Sequence, residues 1–151
     1  MKLNQPHIRL LANPDAKSRM IDFLIFYKKI NGIHTDTELG KKYPQLKAFI
    51  TNLIGKRNLV TKTIEELKTY DFQKMSSNSI VYSVRDTKTL CFLRHIRNSI
   101  AHWNLNYQNN TSDTIVCKDF RHANNKTLTC YGLIKEETLR DIITEISKHY
   151  K

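Results

Sequence analysis

Residues 93–103, LRHIRNSIAHW, are the stretch around which this chain is organised. Wound at about 3.6 residues per turn, Leu93, Ile96, Ile100 and Trp103 fall on one apolar stripe. Arg94, Asn98 and His102 follow one another at i, i+4 and i+8 on the other side, with Arg97 beside the apolar edge. The segment therefore predicts a helix with a core face and a polar face. Within it the guanidinium of Arg97, which never loses its charge, is followed at once by the amide of Asn98 and, five positions on, by the imidazole of His102. Little else in the chain offers such a set of side chains.

Outward from this helix the pattern is mostly helical. Residues 1–12 show no sustained period and read as an extended arm. Asn13-Pro14-Asp15 supplies a cap, a residue preorganised for the first helical position and a carboxylate for the positive helix end. From there to Ile30 the apolar residues cover most of the circumference, as expected of a helix in the middle of a bundle or at a subunit interface. Thr35 with Glu38 has the form of a reciprocal capping box. Pro44 opens a helix over 45–54 in which Leu46, Phe49, Ile50, Leu53 and Ile54 recur at helical spacing. A third helical segment is expected over 61–75, with Ile64, Leu67 and Phe72 inward. Ser76-Ser77-Asn78-Ser79 has loop composition, 80–84 reads as a short extended piece, and Asp86 or Thr87 suits the cap of the central helix. Beyond it, the asparagine-rich run 104–112 reads as a loop. The β-branched and aromatic stretches 114–120 and 127–131 flank a turn at 123–126 and predict a β-hairpin. Residues 135–150 form an amphipathic helix with Leu139, Ile142, Ile143, Ile146 and Tyr150 on one stripe. The fold class expected is mainly α: a helical bundle with a small β-hairpin before the C-terminal helix, in a single domain over 1–151.

With 151 residues, 40% of them apolar, and only four glycines and three prolines, the chain is large enough to bury a core. No run is long and apolar enough for a membrane span, and the first residues lack the apolar stretch of a signal peptide, so no membrane partner is expected and the default location is cytoplasmic. Cys91, Cys117 and Cys130 are odd in number and far apart, and nothing resembles a C-x-x-C pair. Cys117 and Cys130 face each other across the expected hairpin, more as packing than as a bond. No glycine-rich phosphate loop, no H-E-x-x-H and no clustered Cys and His appear, and His7, His34 and His149 have no partner at ligand spacing, so neither cofactor nor metal is expected. The net charge of +11 is the strongest compositional signal. Such a field concentrates polyanions, RNA among them, although lysines also serve simply to keep a domain soluble.

The run RNSIAH from Arg97 to His102 resembles the R-x4-6-H motif of the HEPN superfamily (higher eukaryotes and prokaryotes nucleotide-binding domains), in which the residue after Arg is commonly polar and often Asn. The resemblance implies a small helical homodimer, in many members a metal-independent endoribonuclease, with Arg and His of both protomers facing one cleft. It assigns Arg97, His102 and Asn98 to catalysis, and it implies RNA as substrate in a toxin, phage-defence or stress-response setting. A protein or RNA antitoxin is a further kind of partner. In the branch silenced by a nucleotidyltransferase antitoxin, however, a Tyr commonly stands two residues after the motif His, where this chain has Asn104.

The residues themselves fit that chemistry. A guanidinium offers planar paired donors to a phosphate and offsets charge in a transition state. An imidazole moves protons near neutral pH. Asn98 is placed to orient His102 or the phosphate. Arg94, His95 and Arg121 are candidates to extend the RNA-binding surface, although His95 also reads as an ordinary exposed helix residue and Arg121-His122 as a solvated turn. On a continuous helix Arg97 and His102 point about 140° apart. Either the helix ends near Ala101 and swings His102 round, or two copies meet about a two-fold axis, with small Ser99 and Ala101 allowing close approach. Cations near a helix C-terminus are also favourable for purely structural reasons. Two other functions fit the sequence: a non-catalytic dimer that binds RNA or a nucleotide in the same cleft, and a basic helical module for an acidic protein partner. RNA cleavage by the purified protein separates the first reading from both.

Overall fold

The helical periodicities and the β-branched runs assemble into two layers, helices against one face of a sheet. The computed structural model describes residues 32–55, 60–63, 70–76, 78–83, 88–102, 104–108, 113–121 and 127–149, together with Ser18, Ile21, Asp22, Leu24, Lys28, Ile30 and Leu67. Ser18 to Ile30 are helical at each described position. The extended arm, the Asn13-Pro14-Asp15 cap, Ile64, Asp86, Thr87, Trp103, the turn at 123–126 with His122, and Tyr150 lie outside the described residues.

Helix α1 (Asp36–Lys42) begins at Thr35, whose hydroxyl accepts the Glu38 N–H at 3.1 Å. The Glu38 carboxylate reaches back to the N–H of His34 at 3.2 Å, one residue earlier than in the reciprocal box expected. Pro44 then starts helix α2 (Pro44–Gly55), with Leu46, Ile50 and Leu53 buried.

The mainly helical bundle is overturned at this point. Val60–Thr63 is strand β1, and the expected helix over 61–75 holds instead a short 3-10 turn at Phe72–Lys74, capped by Asp71. Strand β2 (Ser79–Tyr82) leads to helix α3 (Lys88–Ala101), followed by β3 (Leu105–Tyr107), β4 (Thr114–Phe120), β5 (Leu128–Lys135) and helix α4 (Glu136–Ser147). The strands form one five-stranded sheet in the order β1-β2-β5-β4-β3, parallel between β1 and β2 and antiparallel elsewhere. The fold is therefore mixed α/β. The expected hairpin is its β4–β5 centre, with β5 continuing to Lys135. What escaped were the short edge strands β1 and β3, four and three residues long, too short for alternation to show and where side-chain preference counts for less than available neighbours.

Period-two alternation sorts the sheet. Ile80, Tyr82, Leu105, Ile115, Cys117, Cys130 and Ile134 point to the helices and share one buried cluster with Leu46, Ile50, Phe92, Ile96, Ile100, Leu139, Ile142 and Ile146. Gly132 sits opposite Ile80 and Cys117, where an added Cβ would come within 3.3 Å of the Ile80 and Ile134 side chains. Helix α3 packs on β4, α1 and α2, and α4 packs on α2 and β5. The N-terminal end of α3 is held from outside: the Asp36 carboxylate accepts the N–H groups of Thr89 and Leu90, each at 3.3 Å. A carboxylate there satisfies otherwise orphaned donors and complements the positive helix end.

Two predictions follow from this core. Ile96 is fully buried beneath α3, so Ile96→Ala should cost about 2–5 kcal/mol in denaturant unfolding. All three cysteines are free and buried, and burial pushes the Cys117 thiol up from 9.0 to about 12 and the Cys130 thiol in the same direction. A raised folded-state value favours the protonated fold, so this contribution to stability is complete below pH 9.0 and lost as pH rises toward about 12. Cys117 and Cys130 should accordingly resist iodoacetamide in the folded chain and react once it is unfolded, read by mass spectrometry.

Candidate active site

Helix α3 is buried from Thr89 to Leu93 and at His95, Ile96, Ser99 and Ile100. Its remaining outward strip is Arg94, Arg97, Asn98 and Ala101, all partly exposed, ending at the exposed His102. The motif residues thus occupy the one side of the helix that the core leaves uncovered.

What fixes that side is a polar network joining the helix to β4. His95, expected to be an exposed residue near RNA, is only 2% exposed. Its Nδ1 lies 2.8 Å from Asp119 Oδ2 and its Nε2 lies 2.9 Å from the Ser83 carbonyl. A carbonyl only accepts, so Nε2 carries a hydrogen. Nδ1 pairs with the Asp119 carboxyl group, so both ring nitrogens are engaged. The same Asp119 oxygen accepts the Asn98 amide at 3.1 Å, and the Asn98 carbonyl oxygen accepts Arg97 Nη1 at 2.9 Å. Arg97 is thereby linked through one amide and one carboxylate to a histidine in the interior. The Ser99 hydroxyl lies 2.9 Å from the His95 carbonyl and 2.8 Å from the Lys118 carbonyl, and its single hydrogen is shared between them.

The sequence candidates separate accordingly. Arg94, His95, Asn98 and Arg121 are brought together around a cavity of about 100 Å³, with Ser83, Asp119, Phe120 and Thr129 completing its wall. Within it His95 is a buried strut and Arg121 is exposed. Asn98 turns its two amide ends to Arg97 and Asp119 where His102 or the phosphate was expected. Ser99 is fully buried against β4, so it is not available for the close approach of a second helix, whereas Ala101 stays on the outward strip. His102 stands just past the helix end at Ala101, but its N–H still bonds the Asn98 carbonyl at 2.9 Å. The last turn is therefore kept, and within one chain Arg97 and His102 remain on opposite edges of the strip, about 140° apart.

Asp119 was not singled out from sequence. Its signal was present: the inward phase of β4 reads Ile115, Cys117, Asp119, which delivers a carboxylate to the core side of the sheet, and such a group demands a partner. Among the described residues, no cluster of three or more His, Cys, Asp or Glu side chains is arranged to hold a metal ion. No described helix is long and apolar enough to cross a membrane.

The Arg-Asn-x-x-x-His motif thus stands at the end of α3 with its polar strip turned outward. The model of the family HEPN pEK499 p136 matches residues 15–151, and the chain belongs to that HEPN family. Neither a curated protein nor a solved structure matches it.

Removing one member of this buried hydrogen-bonded pair leaves the other unsatisfied. His95→Ala and Asp119→Ala should each lower stability by about 1–3 kcal/mol in chemical denaturation. Arg121→Ala, at an exposed position, should change it by less than about 0.5 kcal/mol.

Proposed function

We propose that the chain is a metal-independent endoribonuclease acting as a homodimer, in which Arg97 holds the scissile phosphate and His102 transfers protons. The observation that carries this reading is the RNSIAH motif of a HEPN family member on the uncovered strip of α3, with His102 exposed at the helix end. Arg97 supplies paired donors and a fixed positive charge for the phosphorane-like transition state. One His102 takes the 2′-hydroxyl proton and the His102 of the second protomer protonates the departing 5′-oxygen, each contributing roughly 10²–10⁴-fold. Asn98 is a positioning residue: it receives Arg97 and is itself held by Asp119. Arg94 and Arg121 add positive charge beside the strip, in keeping with a chain of net charge +11. A two-fold arrangement follows from the divergence of Arg97 and His102 within one chain, because a self-complementary contact sets two of each around one cleft. The setting suggested by the family is toxin, defence or stress response, in the cytoplasm.

The test is cleavage of single-stranded RNA by the purified protein in EDTA. The expected products carry a 2′,3′-cyclic phosphate and a 5′-hydroxyl, and DNA and 2′-O-methylated RNA stay intact. Arg97→Ala and His102→Ala should each abolish cleavage without lowering the unfolding temperature, and Arg94→Ala should only weaken it. Full activity in His102→Ala, or activity lost in EDTA and restored by Mg²⁺, overturns the mechanism. An excess of His102→Ala chain mixed with wild type should suppress cleavage, since a mixed dimer keeps only one of the two His102 side chains the reaction uses; activity unaltered after subunit exchange overturns the shared site.

A further inference from the structure

The two halves of the sheet's outer face differ. On the β2 and β5 side, Val81 and Leu133 point away from the helices and are nonetheless 2% and 4% exposed, so chain covers them. On the β3 and β4 side the face holds an open groove of about 450 Å³, lined by Gln108, Val116, Lys118, Phe120 and Tyr131 among others. Register places these residues together: Val116 faces Leu133 and Lys118 faces Tyr131 across the β4–β5 ladder, alternating with the inward Cys117 and Asp119. Phe72 braces Tyr131, ring centroids 4.6 Å apart, and Lys118 Nζ lies 5.7 Å from the Tyr131 centroid.

The lining is three aromatic residues (Tyr107, Phe120 and Tyr131), one cation, three amides and Val116, with no carboxylate among the described residues. A groove meant for a protein helix would offer a continuous apolar stripe, and here a lysine and a glutamine interrupt it. Unpaired nucleic acid matches it better, because bases present flat π-faces to aromatic rings while their phosphates seek cations. The groove also leads somewhere. The register of β4 shifts between Asp119 and Phe120, an irregularity of the kind that re-aims a side chain at a strand end. Phe120 lines both this groove and the small cavity beside α3 that holds Arg94, Asn98 and Arg121.

We propose that the open outer face of β3, β4 and β5 is a docking track for single-stranded RNA, with bases stacked on Phe120 and Tyr131 and a phosphate at Lys118. A strand lying in the groove passes over Phe120 into the cavity beside the motif helix. Binding in the groove stands on its own, and only its role as a feed to the cleavage site rests on the ribonuclease reading.

The test is fluorescence anisotropy of the full chain with a labelled, 2′-O-methylated oligouridylate, which the proposed chemistry cannot cut. Phe120→Ala should weaken binding about 5- to 150-fold, the loss expected of one base–aromatic stack, and Phe120→Tyr should restore it. Lys118→Ala should reduce the salt slope of log K by about 0.7, one phosphate contact on a single strand. The same RNA as a duplex should bind more weakly, since its bases are not free to stack. Thermal unfolding checks each variant, and should Phe120→Ala not fold, Phe120→Leu keeps the apolar bulk and removes the ring. Wild-type affinity in both the Phe120→Leu and Lys118→Ala chains, equal affinity for duplex and single strand, or no binding at low salt overturns the track. Binding with the expected pattern but no cleavage of unmodified RNA removes the ribonuclease reading and leaves the track. Cleavage alongside unaltered binding in these variants does the reverse.

Discussion

The contact between His95 and Asp119 is the constraint on which the arrangement of the motif depends. Two ionisable side chains have been taken out of water and set 2.8 Å apart, and a buried charge without a partner is among the costliest features a fold can carry. Each has a second partner: Nε2 the Ser83 carbonyl, and the same Asp119 oxygen the Asn98 amide. These demands have direction. They set the rotation of α3 about its own axis, because turning the helix by a single residue would carry His95 out of reach of Asp119 and bring Arg94 or Arg97 toward the apolar interior. The outward strip of Arg94, Arg97, Asn98, Ala101 and His102 is what that choice of rotation leaves at the surface.

The helix is held at its N-terminal end by a partner farther away in sequence. Asp36, 53 residues before Thr89, sits in the first turn of α1 and accepts the leading N–H groups of α3. One carboxylate therefore serves two helix N-termini, once through its place in α1 and once through its side chain. Alongside these contacts Leu93, Ile96 and Ile100 are sealed in the core. The polar contacts specify orientation while the apolar side supplies the driving force, since burial is strong but has no direction.

How much of this was legible follows from the range of each interaction. The motif helix, α2, the β4–β5 hairpin and α4 carry their periodicity within their own residues, and the Thr35 cap is read three positions away, so local pattern suffices. Strand β1 is different. Thr61 and Thr63 alternate with Val60 and Lys62, but so short a run fits a helix or a strand until β2 stands beside it. Leu105–Tyr107 hid within an asparagine-rich stretch for the same reason. At the site, sequence pattern identified the residues of the strip but not the pair that holds them: His95 sits between Arg94 and Ile96, and nothing along the chain says that its partner is a carboxylate 24 residues on. His95 read as an exposed helix residue, and Asp119 stood in the inward phase of β4 without being singled out. Their pairing required the fold.

Strand β4 ties these threads together through simple alternation. Its inward residues, Ile115, Cys117 and Asp119, build the core and then anchor α3, while its outward residues, Val116 and Lys118, continue into the open groove. At Phe120 the register shift breaks the alternation, and that residue borders both the groove and the cavity beside the motif. On the proposed reading the strand thus divides its labour by face: the inner side sets where Arg97 is presented, and the outer side meets the RNA that Arg97 is to hold. Asn98 is the join between the two, because its amide receives Arg97 at one end and rests on Asp119 at the other. Phosphate positioning is then coupled to the stability of the core through a single side chain. A substitution at Asp119 would reach the guanidinium by way of Asn98 even where the helix survives it.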